Sequence, residues 1–382
     1  VVPVSITARG VVSAWGAGEQ ALWRGLLSGE SRVLPAAAAD LPPMARAATV
    51  PDAALDPGAA GRDRTLAMVR EAARQLRHSP AWSAVDPAAL GVCVGTTQGA
   101  VQRWQAHQRR LAADPAHQPP APELSDPARE VAAALGARGP VECPSMACAS
   151  GTAAIGLGLG WIRDGLCSAV VAGGADGLSG FVYHGFASLR ALDPHLPRPF
   201  DRRRAGLGLG EGAALVLLQA GAGPPGAPRV AGFGLAADAN HLTGPDPEGQ
   251  GVQRALAAAL ADAGLQPHEV DLVNAHGTAT RYNDRMEGLA FARLFGPGAV
   301  PVNSIKGALG HAMGAAGAIE AITCCLVLER GLAPPTANLR HPDPELSLDL
   351  IYGAPRPGGY RRVISTSSGF GGINASLVFV AQ

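Results

Sequence analysis

Two stretches of this chain are built almost wholly from small residues. One runs Cys148-Ala-Ser-Gly-Thr-Ala-Ala-Ile-Gly156 and on to Gly165; the other follows His311 and reaches Arg330. Ala and Ile favour a helix in the first, yet Gly156, Gly158 and Gly160 each cost about 1 kcal/mol relative to Ala. A helix that accepts this cost is expected to be packed too closely for side chains to fit. Gly317 and Gly331 repeat the spacing of Gly151 and Gly165, and both stretches end in a charged pair and a Gly, Arg163-Asp-Gly165 and Glu329-Arg-Gly331. The repeat predicts a duplicated α/β unit with two equivalent, buried central helices.

The rest of the pattern agrees with such a unit. Strands are expected at Val1–Val12, Leu90–Gly95, Ser168–Gly174, Ala213–Leu218, Val270–Ala275, Ala299–Ile305, Val363–Ser365 and Ala375–Val380. Helices are expected at Glu19–Leu27, Asp63–Leu76, Asp126–Leu135 and Gly251–Gly264, with a polar one from residue 101. Strands alternating with helices predict layered α/β with a largely parallel sheet. Residues 34–62 read as a surface loop, and the Pro-rich Gln118–Pro122 as a lid or partner surface. Gly221–Pro228 is the candidate linker, giving halves 1–222 and 229–382; 382 residues exceed one ordinary core.

A formal net charge of zero argues against nucleic acid or an anionic membrane as the main partner. No apolar run is long enough to span a bilayer. The six cysteines show no Cys-x-x-Cys spacing, so no metal site is expected; free thiols in a reducing cytoplasm are the simpler account. Of the 31 Lys plus Arg residues, only Lys306 is a lysine. In so Arg-biased a chain, a lone Lys points to a need for a compact ammonium.

Cys148 is expected at a helix N-terminus, where free N–H groups and the helix dipole favour a thiolate and can hold an oxyanion. His276 and His311 each stand where a strand gives way to a glycine-containing turn, the end of an open α/β sheet where ligands gather. Cys143, Cys167, Cys324 and Cys325 read as apolar filler. A cysteine with two imidazoles and an ammonium fits a hydrolase, a metal site or carbon–carbon chemistry. The missing fourth ligand spacing disfavours metal, and the second His disfavours simple hydrolysis.

Ala147-Cys-Ala-Ser-Gly-Thr, Asn274-Ala-His-Gly-Thr-Ala-Thr, Ser304-Ile-Lys-Gly-Ala-Leu-Gly-His and Gly369-Phe-Gly-Gly-Ile-Asn, in this order, resemble the motifs of β-ketoacyl-acyl carrier protein synthases of the elongating, Cys-His-His type. The opening Gly10-Val-Val-Ser and the stretch Pro199-Phe-Asp to Gly-Glu-Gly212 fit as well, so the resemblance spans nearly the whole chain. It implies a thiolase-like five-layer αβαβα sandwich with duplicated halves. The implied reaction is a decarboxylative Claisen condensation of an acyl-enzyme thioester with malonyl-acyl carrier protein, in fatty-acid or type II polyketide elongation.

The resemblance also implies roles. Cys148 takes the acyl group from the phosphopantetheine arm of an acyl carrier protein, and no cofactor is permanently bound. His276 and His311 hydrogen-bond the malonyl thioester carbonyl. Lys306 and Glu320 form a buried pair ordering the His311 region, with Asp284 in support. Thr278 and Thr280 bind pantetheine, and Phe370 gates the site and completes the oxyanion hole with Cys148. Expected partners are the carrier protein and either a second copy or a chain-length-factor homologue lacking the cysteine. Arg202, Arg203 and Arg204 are candidate contacts for the acidic carrier, and Leu207, where many relatives carry an aromatic, for pocket shape. A non-catalytic, carrier-binding scaffold and a Cys thioesterase are the competing readings.

Overall fold

The computed structural model describes residues 2–36, 40–55, 63–114, 116 and 120–382. In the first half the main strands are β1 (Val4–Ser13), β2 (Leu90–Gly95), β3 (Ala169–Asp176) and β4 (Gly212–Ala220), with a short edge strand at Val141–Glu142. The second half has β5 (Arg229–Ala237), β6 (Leu272–Asn274), β7 (Pro301–Asn303), β8 (Arg362–Gly369) and β9 (Ile373–Val380). Outward from the centre, the first half is ordered β1, β4, β3, β2 and Val141–Glu142, and the second β5, β9, β8, β6 and β7. Among these strands both halves read first, last, fourth, second, third in chain order; the second half adds Asp349–Leu350 outside β7.

The two inner pairings of each half are antiparallel and the two outer ones parallel. The sheets are therefore mixed, not largely parallel as the alternation of elements suggested. The cause is connectivity: β8 and β9 are joined by the tight Gly371–Gly372 turn, which only antiparallel neighbours allow. The halves meet where Ser5 of β1 pairs with Arg229 of β5. Residues 221–228 are a short turn tied to β1, with Gly221 N donating to Pro3 O at 2.8 Å and Ile6 N to Pro228 O at 2.8 Å.

Helices α1 (Arg64–Arg77) and α2 (Asp126–Leu135) cover the outer face of the first sheet. The Asp63 side chain caps α1, accepting from Thr65 N at 2.9 Å, and α2 carries Pro127 in its first turn and stops at Gly136 in the left-handed region. Helices α3 (Ser150–Arg163) and α6 (Ala316–Arg330) fill the space between the sheets; α4 (Gln250–Ala263) and α5 (Arg281–Phe295) cover the second sheet. The result is five layers, αβαβα.

The central helices touch through their glycines. A Cβ on Gly317 would lie 1.9 Å from Thr152 Oγ1, and one on Gly151 would lie 2.6 Å from Gly314 O. At Gly156 it would enter the Phe233 ring, 2.4 Å away. Gly160 departs from the expectation: among the described residues no neighbouring atom lies within 4 Å of its ideal Cβ, so their packing does not require it.

Helices Gly180–Ser188 and α5 were not foreseen. Within 34–62, Leu34–Pro35 and Arg46–Ala48 form strand pairs rather than loop; 37–39 and 56–62 lie outside the described residues. Gln118 and Pro119 of the expected lid also lie outside them.

Candidate active site

Cys148 stands two residues ahead of α3, on a turn where Ala147 has φ of 48°. The Ser150 hydroxyl holds that turn, accepting from Met146 N at 2.8 Å and donating to Ala147 O at 2.6 Å. The backbone N–H groups of Phe370 and Cys148 lie near the sulfur and favour its ionised form. The Phe370 segment passes closely over it: a Cβ on Gly369 would lie 3.1 Å from Cys148 N. A cavity of about 430 Å³ is lined by Cys148, His276, His311, Thr278, Thr280 and Phe370, with Leu207 also in its wall. The two imidazoles stand edge to face, ring centroids 5.1 Å apart.

Glycines bring these groups together. His311 N donates to Gly208 O at 2.7 Å, and Gly210 N to His311 O at 3.0 Å. A Cβ on Gly210 would lie 2.3 Å from Leu309 O, so the Gly-rich stretch before β4 lets two backbones run in contact. Arg202 and Arg203 are exposed, but Arg204 is buried and donates to Asp343 at 2.6 Å. Arg204 is thus removed from the candidate carrier contacts: an interior ion pair uses its charge.

Lys306 and Glu320 are both buried and form a direct ion pair. Burial pushes Glu320 up to about 7, opposed by Lys306. Both imidazoles sit well below the usual value, first because they are buried and then because the Lys306 ammonium is close. They are neutral at physiological pH, each able to donate one N–H. Neither ring nitrogen of His311, nor Nδ1 of His276, has a hydrogen-bond partner among the described residues.

Cys148 differs from the helix-terminus expectation. Burial dominates and pushes the thiol up to about 12; Lys306 and the two N–H groups pull it down, and Asp176 pushes it up. Burial thus opposes the dipole end at this sulfur and holds the thiol above its ordinary range.

Asp284 is buried, accepting from Phe200 N at 2.7 Å and Ala279 N at 3.1 Å, so it fastens the Thr278–Thr280 turn. Thr278 and Thr280 hydroxyls lie 3.0 Å apart. Four supporting residues escaped sequence reasoning. Glu287 accepts from His276 N at 2.8 Å and Gly277 N at 2.7 Å. Asn374 donates to Asp238 at 2.7 Å, and Asp238 N to Gly372 O at 2.7 Å, bracing the Phe370 loop. Asp176 completes the set. For Glu287 a signal existed, eleven residues after His276 on a helix; the others act on partners far away in the chain. The other five cysteines are unpaired, and all but the half-buried Cys143 are buried. Among the described residues no His, Cys, Asp or Glu group could hold a metal, and no helix is long and apolar enough to cross a membrane.

Duplicated mixed sheets, two small-residue central helices and a cysteine facing paired imidazoles define a thiolase-like acyltransferase. Residues 2–222 match the family model for the N-terminal domain of beta-ketoacyl synthase, and residues 228–340 match that for its C-terminal domain. The chain belongs to the β-ketoacyl synthase family, whose members carry out condensation in fatty-acid and polyketide elongation. It is 36% identical to the tetracenomycin polyketide synthase ketoacyl synthase alpha subunit of Streptomyces glaucescens, over 98% of this chain and 96% of that protein. It is 40% identical to 3-oxoacyl-[acyl-carrier-protein] synthase 2 of Synechocystis sp. over 64% of this chain and 62% of that one. The ishigamide ketosynthase/chain length factor structure superposes with a TM-score of 0.91 at 30% identity, covering 100% of this chain and 99% of that one.

Proposed function

We propose that the protein loads an acyl group from an acyl carrier protein onto Cys148 and condenses it with malonyl-acyl carrier protein. Cys148 Sγ attacks the acyl thioester; its proton goes to the departing pantetheine sulfur. Malonyl thioester then loses carbon dioxide, and the electron pair of the broken C–C bond forms an enolate held by His276 and His311. The enolate carbon attacks the acyl–Cys148 carbonyl, and Sγ leaves, later taking a proton from solvent. The β-ketoacyl chain departs on the carrier. Residues 1–222 supply the nucleophile, and 229–382 the imidazoles and ammonium. Neutral imidazoles suit this chemistry, since decarboxylation supplies the carbanion without a strong base. The backbone N–H groups of Phe370 and Cys148 near the sulfur would stabilise the tetrahedral oxyanions. Thr278 and Thr280 would meet the pantetheine arm, and Phe370 would gate entry.

The observation that carries the reading is the shared cavity of Cys148, His276 and His311. Intact-protein mass spectrometry with acyl-carrier should show the acyl increment on Cys148, and malonyl-carrier should then yield carbon dioxide and a ketoacyl product. No acyl increment favours a carrier-binding scaffold; free acid without carbon dioxide favours a thioesterase.

The near full-length match to a polyketide alpha subunit supports the polyketide branch, with a chain length factor lacking the cysteine as partner. Native mass measurement of the co-expressed pair should give a 1:1 heterodimer; a homodimer would move the protein to the fatty-acid branch. The unpaired thiols support a reducing, cytoplasmic setting.

A further inference from the structure

Asp176 closes β3 and is wholly buried. Its Oδ1 accepts from Thr96 Oγ1 at 2.6 Å; its Oδ2 accepts from Thr97 N at 2.9 Å, Thr97 Oγ1 at 2.8 Å and Gly314 N at 2.7 Å. The first three donors belong to the loop after β2. The fourth comes from the other half, three residues beyond His311.

Gly314 fills a niche that accepts no side chain. A Cβ there would lie 2.6 Å from Asp176 Oδ2 and 2.9 Å from Thr96 Cα. Its carbonyl oxygen is equally confined, 2.6 Å from an ideal Cβ on Gly151 and 2.3 Å from one on Gly174. Met313 beside it has φ of 49°, a conformation that costs a non-Gly residue energy and persists only where surroundings impose it. The segment carrying His311 is thus plugged into the half that carries Cys148, and Asp176 is its fastener.

We propose, building on the condensing function above, that Asp176 is a positioning residue that sets the place of His311 relative to Cys148 by holding Gly314. It touches neither substrate nor reacting atoms. Its carboxylate also lies near enough to Cys143 and Cys148 to oppose ionisation of both thiols. Around the Cys148 sulfur the other groups are the Lys306 ammonium and the N–H groups of Phe370 and Cys148, with both imidazoles in the same cavity.

The test uses the full chain with its carrier and any partner subunit, as wild type, Asp176→Asn and Gly314→Ala. Acyl loading of Cys148, carbon dioxide release from malonyl-carrier, and the pH dependence of Cys148 alkylation by iodoacetamide are measured. Misplacing a catalytic group by about 1 Å can cost about 100-fold. Both variants should therefore lose about 10- to 100-fold in carbon dioxide release, and much less in loading, which does not use His311. Only Asp176→Asn should shift the alkylation profile to lower pH, since it alone removes a negative charge. Equal losses in loading and decarboxylation, or an unmoved profile in Asp176→Asn, overturn the proposal. Should Asp176→Asn fail to fold, Thr97→Val, which deletes one donor, takes its place in the loading-against-decarboxylation comparison. Wild-type protein that releases no carbon dioxide refutes the condensing function itself, a result distinct from unselective variants of an active enzyme.

Discussion

Replacing Lys306 by Met strands Glu320 in the core. Lys306 is 2% exposed and Glu320 is fully buried, and breaking such a pair by removing one partner costs about 3–5 kcal/mol. Glu320 has an escape: with Lys306 beside it burial already pushes the acid up to about 7, and without the ammonium it goes higher. At pH 6 the variant therefore buries a neutral acid, and only part of the cost is felt. The unfolded chain releases that proton above about pH 4.3. Between there and the raised folded value the folded state binds more protons than the unfolded one, so stability falls as pH rises, by up to about 1.4 kcal/mol per unit. The full cost is reached only at alkaline pH. At about 2.1 cal/mol/K per residue, 382 residues have an unfolding entropy near 0.8 kcal/mol/K, so 3–5 kcal/mol becomes about 4–6 °C. Scanning fluorimetry should show Lys306→Met melting about 4–6 °C below wild type at pH 9, with a smaller gap at pH 6. Lys306→Met combined with Glu320→Leu leaves no acid behind, so its gap from wild type should not widen between pH 6 and pH 9. A gap that stays constant with pH, or survives unchanged in the double variant, refutes the account of a stranded acid.

Three further outcomes follow from the geometry. Alkylation of Cys148 should climb with pH and show no plateau below about pH 10, because burial holds the thiol near about 12; a plateau near pH 8 would mean that the helix terminus prevails. Gly317→Ala should lower stability by about 1–3 kcal/mol through the clash with Thr152, whereas Gly160→Ala, with open space around it, should raise it by about 1 kcal/mol; equal effects would contradict the packing of the central helices. Phe370→Ala should speed alkylation of Cys148, since the ring lines the cavity against Phe186 with centroids 5.4 Å apart; unchanged access would remove its gating role.

The chemistry-bearing segments could be read from the chain because each is local: a strand exit, a glycine-containing turn and one reactive side chain. What could not be read depends on where the fold places a residue. Helix α5 buries Asp284 and Glu287 beside Met286, Ala290 and Phe291, so the face that packs inward breaks the apolar period that would have announced a helix. Helix Gly180–Ser188 fails in the opposite sense: it is apolar yet leaves Phe181 71% exposed. The helix terminus that favours a Cys148 thiolate is visible in a sequence, whereas the desolvation that opposes it is not. Arg204 looked like one of three solvated charges until the fold brought Asp343 to it.

The repeat that first suggested duplication also explains why the halves are chemically unlike. Cys148 lies three residues before Gly151, and Gly314 three residues before Gly317, so the two hold equivalent places ahead of the central helices. In the first half that place carries a sulfur facing the cavity. In the second it carries no side chain, and its N–H is taken by Asp176. A second nucleophile there would need a Cβ where the Asp176 carboxylate already is. One copy of the turn thus presents a sulfur to the cavity. The other is an anchor, and the imidazole three residues before it, His311, faces the same cavity.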